Sequence, residues 1–314
     1  MRRVLSVLFS VAVVTISLAA PKKPKPQLYV PMDYSTCGYR ASEQSLPKVD
    51  VAAYVGWHEG DCSALIQQAI DHVSARKADG NGHRGTVLLG EGTFRLDHAL
   101  RISTPGVVLR GMGREKTLLV KEGVDRGAMV YIEGARAGQG GDTVTVTAER
   151  IPAGSTSLVV SAAAFKAGDR IDIVRPCTTE WIESLRMDDF GGGLDYTGWK
   201  ATDIDLRWDR TVTRVKGDTI FIDAPVTTTI TSQYGGAYIV RGRHEGELTE
   251  CGIENLTLMS AVNDWNPKDE DHCWDAIYIN NVRDSWVRRV NFRRFAGSAV
   301  NLQQHTSRIT TEDC

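Results

Sequence analysis

The sequence has no basic excess: 37 Lys and Arg face 39 Asp and Glu, a formal charge of −2 at neutral pH. That balance excludes the basic stripe of a nucleic-acid binder. After Ala20 no apolar run reaches the length of a membrane span, so no membrane partner is expected. Six widely spaced Cys include no CxxC pair, which excludes the usual zinc spacing and leaves disulfide bridges or buried thiols. There is no G-x-S-x-G elbow and no H-E-x-x-H pair, and Gly111-Met112-Gly113 lacks the third glycine and following helix of a dinucleotide fingerprint. Aromatics are scarce at 7%, so the places where they gather carry information.

What is present begins with an address. Arg2 and Arg3 precede an apolar run from Val4 to Ala20, with Ser17-Leu18-Ala19 supplying small residues at a cleavage site. Residues 1–19 therefore read as a secretory signal peptide, which predicts a secreted, periplasmic or extracellular protein. Residues 20–48, with the Pro and Lys tract Pro21 to Pro26, read as a leader, extended and solvated over that tract.

The strongest internal signal is a repeat. Asp275-Ala276-Ile277-Tyr278-Ile279 recurs as Ser298-Ala299-Val300-Asn301-Leu302, and Val287-Arg288-Arg289-Val290 recurs as Thr311-Glu312-Asp313-Cys314. An earlier copy of the second unit is Ile253-Glu254-Asn255-Leu256. A period of about 23 residues, built from short alternating strands and polar corners, predicts coils stacked into a solenoid. The step back to Ile253 is longer by about ten residues, which places an insertion around Asp264 to Trp274. Cys314 aligns with the inward positions Val290 and Leu256 and no capping segment follows it, so further coils are expected beyond it.

Upstream, Asp61 or Ser63 can cap a helix whose apolar face holds Ala64, Leu65, Ala69, Ile70 and Val73, ending by Asp79-Gly80-Asn81-Gly82. From Gly85 the pattern turns to short strands: Thr86 to Leu89, Thr93 to Leu96, Ala99 to Ile102, Val107 to Leu109 and Thr117 to Val120. A helix ahead of such a run suits a lid over the first coil. Here the chain resembles the pectate lyase superfamily, in its rhamnogalacturonase and epimerase-like branch. The resemblance lies in Tyr54-Val55-Gly56 through Asp71, then GTVLLGEGTFRL and VVLRGMG, over roughly residues 50–135 and 250–314. Asp61-Cys62-Ser63 stands where the family has D-D-T, Gly90 where Pro is usual and Phe94 where Tyr is usual. The resemblance implies a right-handed parallel β-helix acting on polysaccharides.

The expected architecture is therefore all-β: a right-handed parallel β-helix with an N-terminal capping helix and an inserted antiparallel β subdomain. Coils are expected over residues 49–141 and 244–314. Residues 142–243 break the period and carry alternating pieces, with Lys216-Gly217-Asp218 as a hairpin turn and Trp181 to Trp208 as loop.

Chemistry is sought in the insertion. Asn263 to Asp275 packs five carboxylates, one His, one Lys and two Trp into thirteen residues. Paired carboxylates suit glycoside hydrolysis, or a Ca²⁺ ion held by Asp264, Asp269 and Glu270, although EF-hand spacing is absent. Trp265 and Trp274 can stack on sugar faces. Arg289 and Arg293, from the cluster with Arg288 and Arg294, can bind a uronate carboxylate, and Asn301 lies on the outer ladder with Tyr278. Candidates for proton transfer or nucleophilic work are His272, Asp271, Asp275, Tyr278 and His305. Solvated acidic loops and ordinary Arg–Asp pairing explain the same residues without chemistry. The leading expectation is a monomeric polysaccharide lyase that cleaves an acidic, uronate-containing polysaccharide by β-elimination. A hydrolase and a non-catalytic carbohydrate-binding solenoid are the alternatives.

Overall fold

The computed structural model describes residues 31–135, 143–161, 165–191, 198–201, 205–242 and 245–314. The signal-peptide reading and the Pro and Lys tract lie outside them. Alternating apolar residues produce short strands: β1 (Val51–Val55), β2 (Gly85–Leu89), β3 (Gly92–Leu96), β4 (Leu100–Ile102), β5 (Val107–Arg110), β6 (Thr117–Lys121) and β7 (Ala128–Glu133). Helix α1 (Ser63–Ser74) lies between β1 and β2. A second group comprises β8 (Thr143–Thr145), β9 (Arg150–Ile151), β10 (Ser157–Val159), β11 (Arg170–Arg175), helix α2 (Thr179–Leu185), β12 (Leu206–Lys216), β13 (Thr219–Ile222), β14 (Ile230–Thr231) and β15 (Tyr238–Arg241). The chain then adds β16 (Leu248–Thr249), β17 (Gly252–Ser260), β18 (Asp275–Asn280), β19 (Val282–Arg293), β20 (Ser298–Leu302) and β21 (Ser307–Glu312).

The first and third groups pair in parallel, and the repeat sets the register. Ile277 lies opposite Val300 and Tyr278 opposite Asn301. Ile253 lies opposite Val287 and Leu256 opposite Val290, and Val287 lies opposite Thr311. The protein is thus mostly β with extensive parallel pairing. β17 and β19 are long because each runs through two ladders: the first half of β17 pairs with β5 and its second half with β6. A third ladder orders β4, β7, β18 and β20. Inward Val, Ile and Leu from all three pack into one core that includes Ile132, Ile253, Leu258, Ile277 and Val287.

Corners between ladders are made by left-handed residues stacked in register. Glu250, Asp284 and Arg308 share one corner, with φ of 59°, 47° and 54°. Asn255, Arg289 and Asp313 share the next, with φ of 58°, 53° and 51°. Asn281 and His305 form a third pair at 53° and 55°. Asn and Asp tolerate this conformation because the short side chain can bond locally; Arg and His occupy it at a steric cost.

Helix α1 packs against the first strands through Ile66, Ile70 and Val73. Ala64 and Leu65, expected on that face, are exposed, because the buried stripe is rotated onto Cys62, Ser63 and Ile66. Asp61 Oδ1 accepts from Ser63 N at 2.9 Å and from Asp97 N at 3.1 Å, tying the helix start to the turn after β3.

Residues 143–242 form antiparallel ladders around Ile171, Ile173, Trp208, Val212, Ile220 and Ile239. The turn after β12 has Gly217 at φ 57°, closing Lys216 onto Thr219. The stretch from Trp181, expected as loop, begins with α2, whose Thr178 caps Trp181 N and whose Glu180 faces the positive helix end. Arg170 ties this unit to the residue before β16 by donating to Glu247 at 2.6 Å while also pairing with Asp209. The segment before β1 is held against β19: Tyr39 is buried edge-on against Trp286, with ring centroids 5.5 Å apart. All six cysteines are free thiols. Among the described residues no helix is long and apolar enough to cross a membrane.

Candidate functional site

Alternation along the third ladder puts Leu100, Ile102, Val130, Ile132, Ile277 and Ile279 in the core. Arg101, Tyr131, Glu133, Tyr278, Asn280 and Asn301 take the opposite face. Tyr131 lies directly opposite Tyr278, and Arg101 opposite Tyr131. The tyrosine rings are 5.4 Å apart at 52°, and the Arg101 guanidinium lies 4.2 Å over the Tyr131 ring. Glu133 accepts from Asn280 at 3.3 Å and sits 3.7 Å from Arg101. Ala128 N donates to the Tyr131 hydroxyl at 2.9 Å, holding that ring down on the strand. The result is a continuous rung-by-rung row, Arg101, Tyr131, Tyr278 and Asn301, spaced by the strand separation of about 4.8 Å.

Asp275 stands at the start of β18. Its carboxylate accepts from Ser298 N at 3.1 Å, Ser298 Oγ at 2.5 Å and Asn301 Nδ2 at 2.9 Å, which clamps β20 onto β18. Trp274, one residue earlier, donates its indole N–H to the Glu270 carbonyl at 2.9 Å. Arg126 lies 5.4 Å over the Trp274 ring and binds Asp271 through Nε at 3.0 Å and through a terminal nitrogen at 2.6 Å. Trp274, Arg126 and Asp271 therefore edge the tyrosine row where the inserted loop rejoins it.

The remaining expected residues are dispersed. His272 is only 5% exposed and its Nδ1 lies 2.9 Å from the Ser260 hydroxyl, so its ring anchors the loop rather than facing the row. His305 forms a corner between strands in register with Asn281. Arg289 forms a corner on the second ladder system and reaches Asp313 at 3.7 Å, away from the tyrosine face. Arg293 is exposed at the end of β19. Trp265 is 96% exposed, at the loop tip.

The three carboxylates expected to hold Ca²⁺ are spent separately. Asp264 pairs with Arg294 at 3.1 Å. Asp269 accepts from Asn263 N and Asp271 N, and these backbone bonds, that from Asn263 first, hold its carboxyl below the usual range. The Glu270 side chain is exposed. Among the described residues no three His, Cys, Asp or Glu side chains are grouped to hold a metal.

The contributions of β4 and β7 to the row went unread in the sequence. The signal was available: Val130-Tyr131-Ile132 repeats the apolar, Tyr, apolar pattern of Ile277-Tyr278-Ile279. The long intervening stretch of residues 143–242 hides that period.

Fold and face together define a mostly-β protein with stacked parallel ladders and an outward aromatic and arginine row. No protein-family profile matches the sequence, and no curated protein matches it. Among solved structures it is similar to the Gp54 tailspike of Acinetobacter baumannii bacteriophage AP22, solved in complex with A. baumannii capsular saccharide, at 12% identity and TM-score 0.41, covering 77% of this chain and 33% of that one. It is also similar to the tailspike protein gp49 from Pseudomonas phage LKA1, at 12% identity and TM-score 0.35 over 80% of this chain and 49% of that one. The Azotobacter vinelandii mannuronan C-5 epimerase AlgE4 A-module matches at 14% identity and TM-score 0.33, over 80% of this chain and 38% of that one. The chain spans between a third and a half of the length of these structures.

Proposed function

We propose that this is an exported carbohydrate-active protein whose parallel ladders close into a right-handed β-helix, and whose third ladder binds an acidic polysaccharide and cleaves it by β-elimination. The observation that carries the reading is the outward row of Arg101, Tyr131, Tyr278 and Asn301 on successive parallel strands. A row at strand spacing follows a linear polymer, aromatic rings offer flat contact to sugar faces, and guanidinium groups recognise carboxylates.

In β-elimination the base takes the C5 proton of a uronate, the C4–O bond breaks, and the freed oxygen leaves with a proton while a C4–C5 double bond forms. A guanidinium on the uronate carboxylate lowers the cost of the carbanion-like transition state. Arg101 and Arg126 are the cations beside the tyrosines and Trp274. Tyr278 is the proton-transfer candidate presented on this face, whereas His272 is packed against Ser260. Asp275, clamped by Ser298 and Asn301, acts as a structural carboxylate rather than as half of a hydrolytic pair.

Incubation with a panel of polyuronates, followed by ultraviolet absorbance of the unsaturated product, tests the reaction. Absorbance that grows with time supports elimination. New reducing ends without absorbance would assign hydrolysis, and binding without either product would leave a non-catalytic carbohydrate-binding solenoid.

A further inference from the structure

A second site is suggested in the antiparallel unit, far in sequence from the tyrosine row. Arg175 closes β11 and is 1% exposed. Its Nε and Nη1 are buried without a hydrogen-bond partner, which among the described residues leaves a guanidinium with most of its donor capacity unmade. Among the described residues, its neighbours capable of negative charge are the Cys177 thiol and the Tyr234 phenol, and neither is a carboxylate. Burial pushes the Arg175 guanidinium below its usual value, the direction expected when desolvation is not offset by a counter-charge. By contrast, Arg170 and Arg288 each meet a carboxylate.

The surroundings suit a sugar. The Arg175 guanidinium stacks 4.1 Å over the Trp181 ring, and Trp181 lies 6.1 Å from Trp199 with the ring planes 32° apart. Trp199 is 43% exposed, so an indole surface beside Trp181 is open to solvent. A donor set lacking its acceptor, stacked on one member of a tryptophan pair whose other member is open, matches a ligand with a carboxylate at one edge and an apolar ring face. Burying a guanidinium without a partner is costly, and a carboxylate ligand would remove that cost on binding.

We propose that Arg175, Trp181 and Trp199 form a subsite for the carboxylate-bearing sugar of an acidic glycan, separate from the tyrosine row. The choice of glycan class rests on the acidic-polysaccharide reading above; the site itself rests on Arg175 and its aromatic neighbours.

The test titrates the full-length protein with uronate trisaccharides and with their carboxyl-reduced counterparts, following the indole N–H resonances of Trp181 and Trp199, assigned by single Trp→Phe replacement. Only the acidic sugars are expected to shift both resonances. Arg175→Met, which removes no ion pair among the described residues, and Trp199→Ala, at an exposed position, should each weaken this binding about 10–100-fold. Tyr278→Ala should leave these shifts intact while lowering affinity at the row, which separates failure of this site from failure of the row. Unshifted resonances in the wild type, equal shifts with the neutral sugars, or wild-type affinity in a folded Arg175→Met would each overturn the proposal. If Arg175→Met does not fold, Trp199→Ala decides the matter alone.

Discussion

Tyr278 stacks on Tyr131 of the neighbouring strand, with ring centroids 5.4 Å apart, although the two residues lie on opposite sides of the antiparallel unit in the sequence. The contact follows from parallel pairing: Ile277 must lie over Val130 to keep the core apolar, and that register fixes the tyrosines one above the other on the outside.

This stack gives the first prediction. Tyr278→Phe keeps the ring and removes the hydroxyl, so polyuronate affinity should be retained while elimination is lost. Tyr278→Ala removes both, and affinity should fall about tenfold. Binding isotherms alongside ultraviolet product curves check the pair; elimination surviving in Tyr278→Phe would remove Tyr278 as the proton-transfer group.

A second prediction concerns Arg289, whose left-handed backbone carries a long side chain at a corner shared with Asn255 and Asp313. Arg289→Asn should stabilise the protein by about 0.5–1 kcal/mol, since Asn adopts this conformation more readily and the Asp313 contact is exposed. Denaturant melts measure the change, and sugar binding should be unaltered. Loss of binding would return Arg289 to the site.

Glu254 is fully buried and receives Arg110, Arg288 and the Trp286 indole N–H at 3.3 Å. Replacing it by Ala leaves two largely buried guanidinium groups without their carboxylate, a destabilisation of about 3–5 kcal/mol. Asp264→Ala, at an exposed pair with Arg294, should cost less than about 1 kcal/mol. Equal melts for the two variants would contradict the difference in burial.

Alkaline stability should depend on Tyr39. Burial first, then its 2.6 Å hydrogen bond to Glu250, push the phenol from 10.0 up to about 12. The folded value lies above the unfolded one, so this stabilisation is complete below pH 10 and is lost as pH rises towards 12. Tyr39→Phe should flatten the fall in melting temperature across that window. An unchanged alkaline fall would assign the effect to other groups.

Much of the architecture was legible because the parallel strands repeat one another in sequence. Ile253, Val287 and Thr311, like Ile277 and Val300, could be aligned by eye, and the observed pairing uses those alignments. Side-chain alternation then determines which residues face inward. The site was legible only on its C-terminal rungs. Tyr278 and Asn301 follow from the repeat, but Arg101 and Tyr131 join them through pairing across the long antiparallel unit, which no local pattern reports.

The parallel strands, their register after Gly252 and the inward side chains follow from the order of amino acids alone, because period and apolar alternation are local properties of the chain. Only the tertiary structure decided what the polar residues do. It sends His272 to Ser260, Arg289 to a corner, Asp264 to Arg294 and Asp275 to the β20 clamp, and among the described residues it leaves Arg175 buried without a carboxylate. A charged side chain takes its role from the nearest opposite charge or hydrogen-bond partner in space, and those partners come from strands and loops distant in the chain.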